Sequence, residues 1–340
     1  MVFYSSMQKL RRAPIILTFA AIWLVIALNA SAVRSQHLAT PMQVVALVSL
    51  TPTRPAELQA THTPAHTSTS SPTQTAASTQ TFTSTPTPTS THTPSLTPPP
   101  WPTPDSSART REVKAPILMY HHVGPLPASP DKIRIGLTIL PDHFEAQLKF
   151  LQGRGYTSID FYQMQYALAL GQTLPAKPIL FTFDDAYEDV YQFAFPLMKK
   201  YGFTGTVFVP TQFLDEGRVG YMNWDQAKEL ADAGWRLEPH TKDHVEVDGR
   251  SRDFLVYQIY GSMETLRFHL GYQPRFFAYP SGEYDDKAIE ILKEVGYWGA
   301  VTTDASQYHR LANAYTWGRV RVSGNEVLQD LANRLGEKYP

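Results

Sequence analysis

From Glu112 onward, short apolar runs alternate with stretches of helical periodicity. "APILMYHHV", "KPILFTFDD", "TGTVFVP", "RLEPH", "RFFAYP", "WGAVTT" and "YTWGRVRV" predict seven strands. "PDHFEAQLKFLQGRGY", "DVYQFAFPLMKKYGF", "NWDQAKELADAGW", "SRDFLVYQIYGSMETLRFHLGY", "DDKAIEILKEVGY" and "NEVLQDLANRL" space their apolar residues three and four apart and predict helices, the second broken by its proline. Strands alternating with helices predict βαβ units and a parallel sheet. Seven strands point to an α/β barrel, closed or nearly closed, with an open doubly wound sheet as the alternative. Either arrangement gathers functional groups at the carboxyl ends of strands.

The chain before Glu112 is patterned differently. Lys9, Arg11 and Arg12 precede an apolar run from Ala13 to Ala32, which as a helix would span roughly 30 Å of bilayer. Basic residues on that flank predict export of everything downstream. Ala30-Ser31-Ala32 fits a signal-peptide cleavage site, while the length of the run also fits a retained anchor. Residues 36–111 then form a linker dominated, from about Thr51, by Ser, Thr and Pro. Such a tract buries too little apolar surface to offset its conformational entropy and is expected to be an extended stalk, with a reach on the order of 150 Å. The expected organisation is a signal peptide or membrane anchor over 1–35, a disordered linker over 36–111 and a catalytic domain over 112–340. The protein is expected outside the cell, either anchored or released.

Composition narrows the chemistry. A formal net charge of −1 offers no footprint for nucleic acid, and the absence of cysteine excludes disulfides, thiolate metal sites and a cysteine nucleophile. What remains is polar residues at strand ends. Asp184 and Asp185 directly follow the apolar "ILFTF", although ionised carboxylates are costly to bury without a partner. His121 and His122 end the first strand, and His240 and His244 follow the fourth. Two imidazoles and a carboxylate make a common catalytic metal site with positions left open. One carboxylate of the Asp pair can then bind a metal while its neighbour handles protons, since adjacent residues on extended backbone point in different directions.

"TFDD", "HTKDH" and "FFAYPSGEY" resemble successive motifs of the polysaccharide deacetylases, the NodB-homology domain of carbohydrate esterase family 4, over about Lys114 to Val322. The resemblance implies a distorted (β/α) barrel, one divalent ion, expected to be zinc, and hydrolysis of acetamido groups on N-acetylated polysaccharides such as peptidoglycan, chitin-like polymers or poly-N-acetylglucosamine. It makes Asp184 the general base and Asp185, His240 and His244 the metal ligands. It also places the oxyanion and substrate contacts at Tyr279, Pro280 and Ser281, the backbone amide of Ser281 being the oxyanion donor. The late Leu-x-His motif of many members is missing; "ILMYHHV" resembles the branch in which that motif is permuted to the N-terminal strand. His121 is then the general acid, with His122 as competitor. The family's base-orienting arginine has no match, because Ala278 stands at its position; Arg275, Arg319 and Arg321 are the alternatives. Tyr221, Trp224 and Tyr284 are candidates for stacking on sugar rings. The rival readings are a related amidohydrolase acting on a small amide and a catalytically silent carbohydrate-binding protein, which would need no base beside a metal.

Overall fold

The computed structural model describes residues 101–339. The apolar N-terminal run and most of the Ser/Thr/Pro tract lie outside the described residues, and so do the expectations of an anchor and a stalk. Among the described residues no helix is long and apolar enough to cross a membrane.

All seven expected strands form: β1 (Ile117–Tyr120), β2 (Pro178–Phe183), β3 (Thr206–Val209), β4 (Arg236–Pro239), β5 (Phe276–Ala278), β6 (Gly299–Val301) and β7 (Val320–Arg321). Their main sheet runs in the order β7-β1-β2-β3-β4, every pair parallel. A separate parallel pair, β5 and β6, continues past β4, and Val301 bridges to Trp317 just ahead of β7. The circuit is therefore a curved parallel sheet whose ladder is broken on one side. Short pairs decorate it, including an antiparallel one between Val113–Lys114 and Tyr308–His309.

Register decides which side chains share a face. Within β2, Ile179, Phe181 and Phe183 join an outer core with Leu148 and Leu151 of the helix Pro141–Gly153 and Leu230 of the helix Trp224–Asp232. Leu180 faces the other way, with Ile117, Phe208, Phe276, Ala278 and Val301, which together fill the inside of the curved sheet. Ile117 pairs with Leu180 and Met119 with Thr182. Period-2 alternation then carries His121, Asp184 and His240 onto the inner face at its carboxyl-terminal mouth.

Two local findings depart from the patterning. Helix Phe161–Leu170 was not among the predicted helices; seven of its ten residues are buried, so it has no polar stripe to betray a period. Its Phe161 stacks with Phe276 at 5.1 Å and Trp317 at 6.3 Å between ring centroids, helping fill the side where the ladder is broken. Residues 101–111, assigned to the linker, lie against the domain. Arg111 donates to the Leu168 carbonyl and pairs with Asp105 at 2.8 Å, and Trp101 meets Trp298 edge-on at 5.2 Å. The folded region thus begins ahead of the Glu112 boundary.

Candidate functional site

The backbone extends two ladders by one residue at the mouth. Asp184 N–H donates to the Tyr120 carbonyl at 3.0 Å and His240 N–H to the Val209 carbonyl at 2.9 Å. Asp184 is thereby held rigidly inward, and its carboxylate meets Arg319, which precedes β7. Both guanidinium nitrogens engage it, Nη1 to Oδ1 at 2.7 Å and Nη2 to Oδ2 at 2.8 Å, while Nε–H donates to the Thr302 carbonyl at 2.9 Å. Asp184 is 3% exposed and Arg319 1%, so the pair is a bidentate buried one. Burial opposes charge on Asp184, but the charge and hydrogen bonds of Arg319 outweigh it and hold the carboxyl below the usual range.

Asp185 turns away from its neighbour because its backbone is left-handed, with φ at 74°. Asp185 Oδ1 sits 2.9 Å from His244 Nε2 and 3.4 Å from His240 Nε2, and one ligand atom from each of the three residues lies within 4.8 Å of the others. His240 Nδ1–H donates to the Ala278 carbonyl at 2.7 Å, which leaves Nε2 as the lone-pair nitrogen facing Asp185. Asp185 Oδ1 is buried yet has no aligned hydrogen-bond donor. An orphaned carboxylate oxygen opposite an imidazole lone pair is unfavourable unless a cation stands between them, so the donor set fits a divalent ion with N and O preferences such as zinc.

Backbone strain concentrates here. Among the described residues the non-glycine positions with positive φ are Asp185, Ala186, Thr241, His244 and Ser281. All belong to the ligand segments or to the turn after β5, where such conformations persist only if the surroundings enforce them.

The two adjacent histidines separate cleanly. His121 Nε2 lies 4.0 Å from Asp184 Oδ2, inside the mouth, and burial lowers its pKa against the pull of Asp184 and Asp185. His122 points outward and is consumed on both nitrogens, by Asp189 at 2.7 Å and Arg134 at 2.8 Å. The turn after β5 carries Ser281, exposed, with φ at 59°. Gly282 follows at φ 82°, where an added Cβ would lie 2.2 Å from Thr303 Oγ1, so this turn admits only glycine there. Pro280 is buried. Tyr279 is also buried, its hydroxyl donating to the Tyr315 carbonyl at 3.0 Å, which leaves its backbone alone for any substrate contact.

Of the arginine alternatives, Arg319 reaches Asp184. Arg275 is turned to the Gly296 carbonyl and Trp298, and Arg321 is exposed. Trp224 stacks on His269 at 3.8 Å and donates to Asp215, while Tyr284 stacks on Tyr279 at 4.8 Å. Tyr221, stacked on Tyr187, borders a cavity lined also by His122, Arg134 and Asp189. Tyr187 is not among the polar residues that the strand ends mark. Burial and the Asp185 carboxylate beside it raise its phenol pKa. Its place two residues after Asp185 in "DDAYED" was the available signal.

Comparison with known proteins agrees with this architecture. The polysaccharide deacetylase family model matches residues 171–300. The chain is 31% identical over 213 residues to YxkH of Bacillus subtilis (strain 168), which bears the family's name, covering 63% of this chain and 73% of that protein. It is 23% identical over 209 residues to the poly-beta-1,6-N-acetyl-D-glucosamine N-deacetylase of Staphylococcus aureus (strain MRSA252), covering 58% and 71%. Among solved structures, the Streptococcus pyogenes deacetylase PplD in complex with acetate superposes with a TM-score of 0.61 at 28% identity, covering 68% of this chain and all of that one.

Proposed function

Because the chain belongs to the polysaccharide deacetylases, we propose that it is a metal-dependent hydrolase that removes acetyl groups from N-acetylated sugars of a cell-envelope or extracellular polysaccharide. The observation carrying this reading is the convergence of Asp185, His240 and His244 on one space, beside a second carboxylate, Asp184, kept out of the ligand set by Arg319. Asp185, His240 and His244 would hold a divalent ion, which when bound would supply Lewis acidity for the amide carbonyl and for a water molecule.

The chain's own residues divide the remaining work. Each Asp184 oxygen spends one lone pair on Arg319 and keeps another to accept the proton of water, so Asp184 is both ionised and fixed in aim. Clamped in this way it is a weak base, which suits it only to a water already made acidic. Ser281, at the strained turn, offers its backbone amide to the oxyanion. His121, 4.0 Å from Asp184, gives a proton from Nε2 to the leaving nitrogen; burial makes its imidazolium a readier donor. Amide and water thus become acetate and a sugar amine.

The apolar N-terminal run and the Ser/Thr/Pro tract support an exported enzyme reaching a polymer from the membrane or released from it. The name of the Staphylococcus aureus relative supports an N-acetylglucosamine polymer as substrate class. The test is acetate release by zinc-loaded protein from peptidoglycan, chitin oligomers and poly-β-1,6-N-acetylglucosamine. Metal bound at one equivalent with no acetate from any of the three would defeat the reading.

A further inference from the structure

A cavity of about 340 Å³ is walled by Tyr187 and Tyr221 and lined by His122, Arg134, Glu188, Asp189 and Gln192. That volume lies within the range of small-molecule sites. Tyr187 joins it to the centre: its ring lies between those of His122, at 3.5 Å, and Tyr221, at 5.1 Å, and the Asp185 carboxylate is its neighbour.

The charge inside follows from hydrogen bonding. Arg134 Nη1 can only donate, so His122 Nε2, 2.8 Å away, carries the lone pair, and the imidazole proton sits on Nδ1, facing Asp189 at 2.7 Å. His122 is therefore neutral, and Arg134, 3.3 Å from Asp189, balances that carboxylate. Glu188 is left over. Its carboxylate takes a hydrogen bond from neutral Gln226 at 3.3 Å, and no cation pairs with it among the described residues. The cavity thus holds one uncompensated carboxylate beside Tyr187 and Tyr221, whose ring faces are taken up by stacking.

We propose that this cavity is a subsite for the sugar next to the one being deacetylated, and that it prefers a neighbour already carrying a free amine, paired with Glu188. The proposal rests on the deacetylase reading above, whose product is such an amine. Each product then favours reaction at the adjacent unit, and acetyl loss spreads in runs instead of at random.

The test compares a fully N-acetylated glucosamine oligomer with one of equal length bearing a single glucosamine beside an acetylated unit. The kcat/KM of the zinc-loaded protein, and the calorimetric Kd of its metal-retaining Asp184→Asn variant, should favour the amine-bearing oligomer about fivefold at low salt, the scale of one ion pair, and the margin should shrink with added salt. Glu188→Gln should bring both ratios close to one. Equal binding of the two oligomers, a preference surviving in Glu188→Gln, or tighter binding of an oligomer with a carboxylate-bearing neighbour would each overturn the proposal. Calorimetry on Asp184→Asn reads the subsite without turnover, so better binding of the amine-bearing oligomer there, with no acetate released by the native zinc-loaded protein, would sink the deacetylase reading and leave the subsite standing.

Discussion

Asp184 and Asp185 are chemically identical neighbours given opposite employment by their surroundings. Asp184 continues the ladder of β2 and meets a guanidinium, whereas Asp185 swings through a left-handed backbone to meet two imidazoles. Asp184→Asn should therefore retain metal at one equivalent while kcat for acetate release falls by at least about 10²-fold, the scale of general-base catalysis. Elemental analysis and single-turnover kinetics check both halves; loss of metal would reverse the two assignments. A third buried titratable group lies away from the mouth. His309 Nε2–H donates to the Ala115 carbonyl at 3.0 Å, its Nδ1 has no partner, and burial pushes its pKa down to about 4. An unfolded histidine takes a proton near 6.5, so between those values the unfolded chain binds the extra proton. The stability His309 allows is present above pH 6.5 and is lost as pH falls through 4, a loss of about 3 kcal/mol. Urea unfolding at pH 7 and pH 4 should show that increment in the native protein and not in His309→Asn; an equal pH response in both would remove the residue from the account.

Strands deliver the chemistry through their register. His121 opposite Asp184 and His122 facing Asp189 and Arg134 differ by one position on one extended segment, which is enough to send them to opposite faces. The turn after β5 is equally dependent on backbone. Gly282 sits at φ 82°, and its missing Cβ makes room for Thr303, whose hydroxyl reaches toward the Ser281 carbonyl at 3.4 Å. Gly282→Ala should cost about 1–3 kcal/mol of stability and reduce kcat more than metal affinity, because it displaces the Ser281 amide without touching a ligand. Thr303→Ala in the same chain should restore part of both, since it removes the overlapping atom. An unchanged kcat in Gly282→Ala would separate this turn from the reaction.

For the whole molecule, the described domain carries every residue assigned a part in the site, and the chain ahead of it is proposed to contribute reach. Removing residues 1–100 should leave kcat/KM on soluble oligomers unchanged while deacetylation of polymer on intact cells declines; a slower oligomer reaction would tie the N-terminal region to the site. Much of this was legible beforehand. Apolar runs of strand length between amphipathic helices are a local signal, so the strands and their parallel alternation could be read directly, and carboxylates or imidazoles placed after such runs conflict with burial strongly enough to mark themselves. Helix Phe161–Leu170 escaped because it is buried on most sides and has no period. Arg319 could be named only as one of three arginines, and His121 could not be parted from His122, because both faces of the first strand are apolar and nothing along the chain states which one turns inward. The sequence by itself determined which residue types stand at strand ends and therefore the class of chemistry available. Only the tertiary structure decided which of them meet, since that depends on register between strands as distant in the chain as β1 and β7, on a side-chain pair 135 residues apart and on left-handed turns whose strain is sustained by packing around them.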